Sequence, residues 1–298
     1  MKDFLVGVLG QGFIISIMVM GVYITNRFLN FPDLSIDGTF TLGASISAIL
    51  ISKGVSPMVS LVIAIIGGFL AGSITGLLNV KLKIKDILSG ILVMIGLYSI
   101  NLRIMGKANL PLLNERTIFT QGNNLITALV FVFIVALLFT IFFKTKMGYM
   151  IKGVGDNEKM IISLGIDTDK VKILALAFSN GLVALAGGLM AQYQGFSDIN
   201  MGTGTIIIGL ASIVIGQTLF RKVKFLREST LIILGTIIYR MSISLSLIAG
   251  FNPSDLKLIS CIIVVLALAL GNKNIIFLNK KMSFNFTKPI SSYDSTRV

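Results

Sequence analysis

Apolar stretches and short polar connections alternate along this chain with little in between. Nine apolar runs occupy positions 4–25, 39–51, 57–80, 87–105, 125–143, 173–193, 203–220, 230–248 and 256–270. Most approach the roughly 20 residues that a membrane-spanning helix needs. The second, at about 13, falls in the range of a re-entrant or broken element. The pattern predicts an all-α, polytopic membrane protein of about nine transmembrane helices. Residues 1–271 form its transmembrane domain and 272–298 a polar tail without sustained period, read as a flexible cytoplasmic extension.

The first run follows a single lysine, is long enough to span, and lacks a small-x-small exit before the next charge, so it reads as a retained helix and not a signal peptide. Of the 26 Lys and Arg, 19 fall in alternate connections: Arg27, the cluster at Lys81, Lys83 and Lys85, six between Lys144 and Lys172, four between Arg221 and Arg227, and the tail. Basic residues concentrate on the cytoplasmic side, which places the N-terminus outside and the tail inside a cell membrane.

Composition agrees: 54% hydrophobic, 13% charged and a mean hydropathy of +0.91 lie far from a soluble domain. The net charge of +13 belongs to membrane flanks and not to a nucleic-acid face. The single cysteine, Cys261, excludes an intrachain disulfide. Without histidine, His-ligated metal sites and Ser-His or Cys-His catalysis are excluded. No cofactor is expected, and no Gly-rich phosphate loop ending in Gly-Lys-Ser/Thr occurs, so ATP hydrolysis would have to come from another subunit.

Polar breaks carry the candidate chemistry. In 31–39, FPDLSIDGT, Pro32 and Gly38 disfavour regular helix, and Asp37 stands two residues before the 39–51 run, placed to cap it. Irregular backbone at membrane depth is tolerated only inside protein or beside water, which makes Asp33, Asp37, Thr39 and Thr41 candidates for a translocation path. The segment 33–43 is weakly echoed at 198–209, with Asp198 opening the second copy. The copies begin runs two and seven, so they would enter from opposite sides as a candidate inverted repeat. Chance similarity of Gly/Thr/Ile-rich helices is the competing account. Intramembrane polar residues are functional candidates by default: Asn101, and Arg240 in the eighth run, which either meets a substrate carboxylate or pairs with Asp198 or Asp255. Asn180, Gln192 and Gln194 either line a path or bond between helices. Gly68, Gly72 and Gly76 mark close helix packing.

Residues 148–188, GYMIKGVGDNEKMIISLGIDTDKVKILALAFSNGLVALAGG, pass from a short charged segment directly into a Gly/Ala-rich helix. This segment resembles the cytoplasmic coupling loop of ABC-importer permeases of the branched-chain amino acid and ribose type. The resemblance extends through FPDLSIDGTFTLGA, KLKIKDILSGILVMIGLYSINLRIMGKANLPLL, GDNEKMIISLGI and AQYQGFSDINMGTGTIIIGLASIVIGQTLF, and is nearest the subfamily linked to tryptophan and other amino acids. It implies a permease that is not itself an enzyme, working as a homodimer in membrane lipid. It also implies a cytoplasmic ABC ATPase docked on Gly155, Asp156, Asn157, Glu158 and Gly165, and an extracytoplasmic substrate-binding protein. Two departures stand out: Ile161 and Ile162 replace small or basic residues, and Gln217 replaces a frequent acid. The implied cargo is an amino acid, aromatic or otherwise hydrophobic, with a sugar or nucleoside as the alternative. An ion-coupled secondary transporter or a structural membrane protein are the competing classes.

Overall fold

The apolar runs become helices, and the structure, a computed structural model, shows where each begins and what stops it. It describes residues 2–113, 115–120, 122–220, 227–252, 255, 258–263 and 265. Helix α1 (Lys2–Tyr23) closes in a π-helical turn, Ile24–Phe28. There follow α2 (Ser35–Ser52), α3 (Pro57–Val80), α4 (Asp86–Met105), α5 (Asn124–Phe142), α6 (Lys146–Ser163), α7 (Thr168–Gln194), α8 (Thr205–Leu219) and α9 (Glu228–Ile248). Two three-residue strands, β1 (Asn109–Pro111) and β2 (Phe196–Asp198), pair antiparallel with Leu110 opposite Ser197.

Among the described residues, seven helices are long and apolar enough to cross a membrane: α1 with its π-turn, α2, α3, α4, α5, α7 and α9. The nine runs thus resolve into seven spans, a shorter α8 and the ninth run, most of which, like the tail, lies outside the described residues. At 15 residues and 1.5 Å per residue, α8 is about 22 Å long, less than a hydrocarbon core of about 30 Å.

Helix α2 departs from expectation. It is continuous from Ser35, so the break precedes it and does not fall at Gly38. The reason is Asp33, whose Oδ1 accepts from Ser35 N at 2.9 Å and from Ser35 Oγ, satisfying the helix start that Asp37 was expected to cap. Gly38 sits inside the helix, packed on Met94 and Leu97, halfway along α4.

The core is built around α7, which packs against α1, α2 and α3. Gly68, Gly72 and Gly76 of α3 lie flush on Asn180, Leu176 and Ile173 of α7, where a Cβ would collide. Backbones that approach this closely gain the dispersion contacts that hold helices together in lipid. The outer helices show the complementary pattern. Ala128, Val132, Val135 and Phe139 form the one buried stripe of α5, while Phe133, Leu138 and Ile141 are exposed. Apolar faces of this extent suit a lipid solvent.

Candidate functional site

Two constellations emerge, one on α6 and one at mid-depth between α2, α4 and the approach to α8.

Helix α6 is two helices meeting at Asn157, whose backbone is extended (φ −155°, ψ 91°). Thr145 caps the first half and Asn157 the second, accepting from Met160 N at 3.2 Å through Oδ1. Its inner face is fixed at several points. Gly155 lies directly on the Phe28 carbonyl, so closely that any side chain would collide. Asn30 donates from Nδ2 to the Gly155 carbonyl at 2.8 Å, from a left-handed backbone (φ 52°) that Asn adopts more readily than most residues. Lys152 stands 4.4 Å above the Phe28 ring and 3.4 Å from Glu228 at the start of α9. Glu158 is tied to α7: Lys172 Nζ donates to it at 2.7 Å and Thr168 Oγ1 at 3.1 Å. That hydrogen bond from Lys172 is the main reason the Glu158 carboxyl titrates below its ordinary 4.5.

The outer face of α6 is open. Asp156, Asn157 and Lys159 are exposed, and so are Met160, Ile162 and Leu164, the last at 65%. Gly165, left-handed at φ +77°, ends the element. The two unusual isoleucines therefore separate: Ile161 is buried beneath Gly153, and Ile162 faces out. Sequence reasoning missed Asn30, Lys152, Met160 and Leu164 as parts of this site, and singled out Ile162 only as a departure from the resemblance. Met160, Ile162 and Leu164 were legible as apolar residues on a charged segment; the contact of Asn30 with a residue 125 positions away left no local signal.

At mid-depth, Asp37 is the organising residue, and it caps α8 instead of its own helix. Its Oδ2 accepts from Gly204 N at 2.7 Å, and its Oδ1 accepts from Thr205 Oγ1 at 2.9 Å and Ile206 N at 3.0 Å. These are free N–H groups of a helix start, where negative charge is favoured. Gly202 lies against the Asp37 carbonyl with no room for a side chain, and its N–H donates to Thr41 Oγ1 at 3.0 Å. The result is a re-entrant segment: from the β-ribbon the chain turns back through 199–204 to start α8 beside the first turn of α2, at half the depth of α4. A cavity of about 320 Å³ lies between these pieces, lined among others by Asp37, Thr41, Tyr98, Ser99, Asn101 and Thr203.

The other path candidates lie elsewhere. Asp33 is buried, with Oδ2 accepting from Asn180 Nδ2 at 2.8 Å, and joins α2 to α7. Thr39 is buried and donates to the Ser35 carbonyl. Asp198 belongs to β2, where it accepts from Asn200 N at 2.8 Å and from Asn109 Nδ2 at 3.3 Å. Arg240 pairs with neither Asp198 nor Asp255; its Nη2 donates to Gln11 Oε1 of α1 at 2.6 Å, an acceptor within reach across the α1–α9 contact. Gln192 donates to Ser47 Oγ at 3.0 Å and Ser60 Oγ at 3.2 Å, and with Asn180 serves as a bond between helices. Among the described residues no group of three or more His, Cys, Asp or Glu is arranged to hold a metal.

Comparison with known proteins bears on both constellations. Residues 4–269 match the family described as branched-chain amino acid transport system / permease component. A protein of Clostridioides difficile (strain R20291) named tyrosine transport system permease protein is 52% identical over 272 residues, covering 91% of this chain and 92% of its own. An uncharacterized protein of Rickettsia prowazekii (strain Madrid E) is 34% identical over 274 residues, covering 90% and 97% respectively. No solved structure matches.

Proposed function

This chain belongs to the branched-chain amino acid transport system permease component family, and on that premise we propose that it forms the translocation path of an ATP-driven importer for an aromatic amino acid. The observation that carries the reading is the asymmetry of α6. Its inner face is fixed to Phe28, Asn30, Glu228 and α7, while its outer face offers charge, a kinked Asn157 and three exposed apolar side chains to a partner. A helix held this way suits transmission: a docked subunit that moves it also moves the π-turn and the α2 start behind it. The partner is a cytoplasmic ABC ATPase, since the sequence holds no phosphate loop. A substrate-binding protein on the opposite side delivers cargo and makes the main selection.

In this reading the α6 end and the basic connections face the cytoplasm of a multi-pass protein of the cell membrane. Two copies meet around a C2 axis, and the exposed Ile95 and Tyr98 beside the mid-depth cavity face the central passage. The likeness to a protein named for tyrosine transport supports an aromatic cargo. The test is reconstitution of the chain with the ATPase and binding protein that co-purify with it, followed by uptake of labelled tyrosine. ATP-dependent uptake is expected. Calorimetry showing that the binding protein takes sugars and no amino acid would overturn the substrate, and failure of any ATPase to co-purify would overturn the class.

A further inference from the structure

One buried polar atom beside the mid-depth cavity has no partner among the described residues, and its chemistry indicates what passes. Asn101 is 1% exposed and its Nδ2 donates to the Gly38 carbonyl at 3.1 Å. A carbonyl only accepts, so the amide orientation is fixed. Oδ1 is then a buried acceptor with no donor among the described residues, on a residue that lines the cavity. Buried acceptors are nearly always satisfied, so such an atom on a cavity-lining residue points to a visitor that donates.

The rest of the lining sets the same polarity. Asp37 contributes a negative charge whose oxygens are already held by the α8 start, Thr41 and Ser99 contribute hydroxyls, and no lysine or arginine among the described residues lines the space. Tyr98, Met94 and Ile95 supply an apolar and aromatic side, and an aromatic face attracts cations. The volume sits at the low end of cavities that hold small molecules.

We propose that this cavity is a way station for the ammonium group of the passing amino acid, which donates a hydrogen bond to Asn101 Oδ1 while its side chain lies along Tyr98; the carboxylate is not read here. The proposal rests on the amino-acid reading above and adds the direction in which cargo is held.

The test uses the whole transporter in membrane vesicles, carrying Ser99→Cys in a Cys261→Ser background, and follows thiol labelling at position 99. Tyramine, which keeps the amine and lacks the carboxylate, is expected to slow labelling about two-fold once it reaches half occupancy. 4-Hydroxyphenylpropionate, which lacks the amine, is expected to leave it unchanged, and Asn101→Leu to abolish the tyramine effect. Equal protection by the carboxylate analogue, protection surviving Asn101→Leu, or no protection by tyramine in a transporter that takes up tyrosine would each overturn the proposal, the last meaning that water alone meets Asn101. If Asn101→Leu does not assemble, Tyr98→Leu at the exposed position must weaken tyramine protection, and undiminished protection overturns the site. Absence of tyrosine uptake by the unaltered transporter would count against the transport reading instead.

Discussion

Asp37 lies in the first turn of one helix and caps another, and this double position makes its replacements informative. Asn offers one acceptor oxygen where the carboxylate offers two, so Asp37→Asn keeps part of the α8 cap. Asp37→Leu removes it and strands the N–H groups of Gly204 and Ile206 at membrane depth. We expect Asp37→Leu to cost about 0.5–2 kcal/mol from the cap alone and Asp37→Asn less, read as the loss of thermal stability of the detergent-solubilised complex. Equal losses for the two would count against the cap. Asp33 poses the reverse case, a buried carboxylate whose Oδ2 depends on Asn180. Asn180→Ala leaves that oxygen without its donor and is expected to cost about 1–3 kcal/mol by the same measurement. Both acids were legible in the sequence as special, through their place beside Pro32 and Gly38. Which helix each caps was not, because the partners of Asp37 come from a segment 167 residues later, and no local pattern carries that pairing.

Among the elements, α3, α5 and α9 were legible nearly to their ends, since long apolar runs between polar connections leave few alternatives. The start of α2 was misplaced by four residues because Gly38 suggested a break where close contact with α4 requires a small residue. The π-turn at Ile24–Phe28 had no signature beyond an ordinary helix end, yet single π-turns tend to sit at functional places, and this one bears on α6. We expect Gly155→Ala, which cannot fit against the Phe28 carbonyl, to retain membrane insertion and ATPase co-purification while transport falls; normal uptake would rule out the joint. Asn30→Ala, which removes one hydrogen bond and adds no bulk, is expected to lower uptake less. The α6–α7 corner also carries a pH response. A carboxyl held below its ordinary value contributes stability that is complete above 4.5 and is lost as pH falls through the lower folded value. Because Glu158 and Lys172 are partly exposed, the effect is small. The protection of α6 amides, relative to the intrinsic exchange rate at each pH, is expected to fall in that acid window, and Lys172→Met to remove the dependence.

For the molecule as a whole, the placement of charge leads to a test of orientation. With Cys261→Ser as background, Asp156→Cys on α6 is expected to react with an impermeant thiol reagent only in inverted vesicles, and Asn109→Cys on the β-ribbon only in intact cells. The opposite pattern would reverse the transporter in the membrane and remove α6 from the reach of a cytoplasmic ATPase.

The bond between Asp37 and the start of α8 also has a history in time. A ribosome adding about 5–20 residues per second needs roughly 10–30 s to make the 167 residues that separate this carboxylate from its donor. Throughout that interval α2 carries an acid that lipid does not tolerate unpaired. The nascent chain must therefore hold its second helix near the headgroups, or beside the insertion machinery, until the eighth is delivered. Final seating of α2 is then among the last events of biogenesis, although it is among the first segments translated.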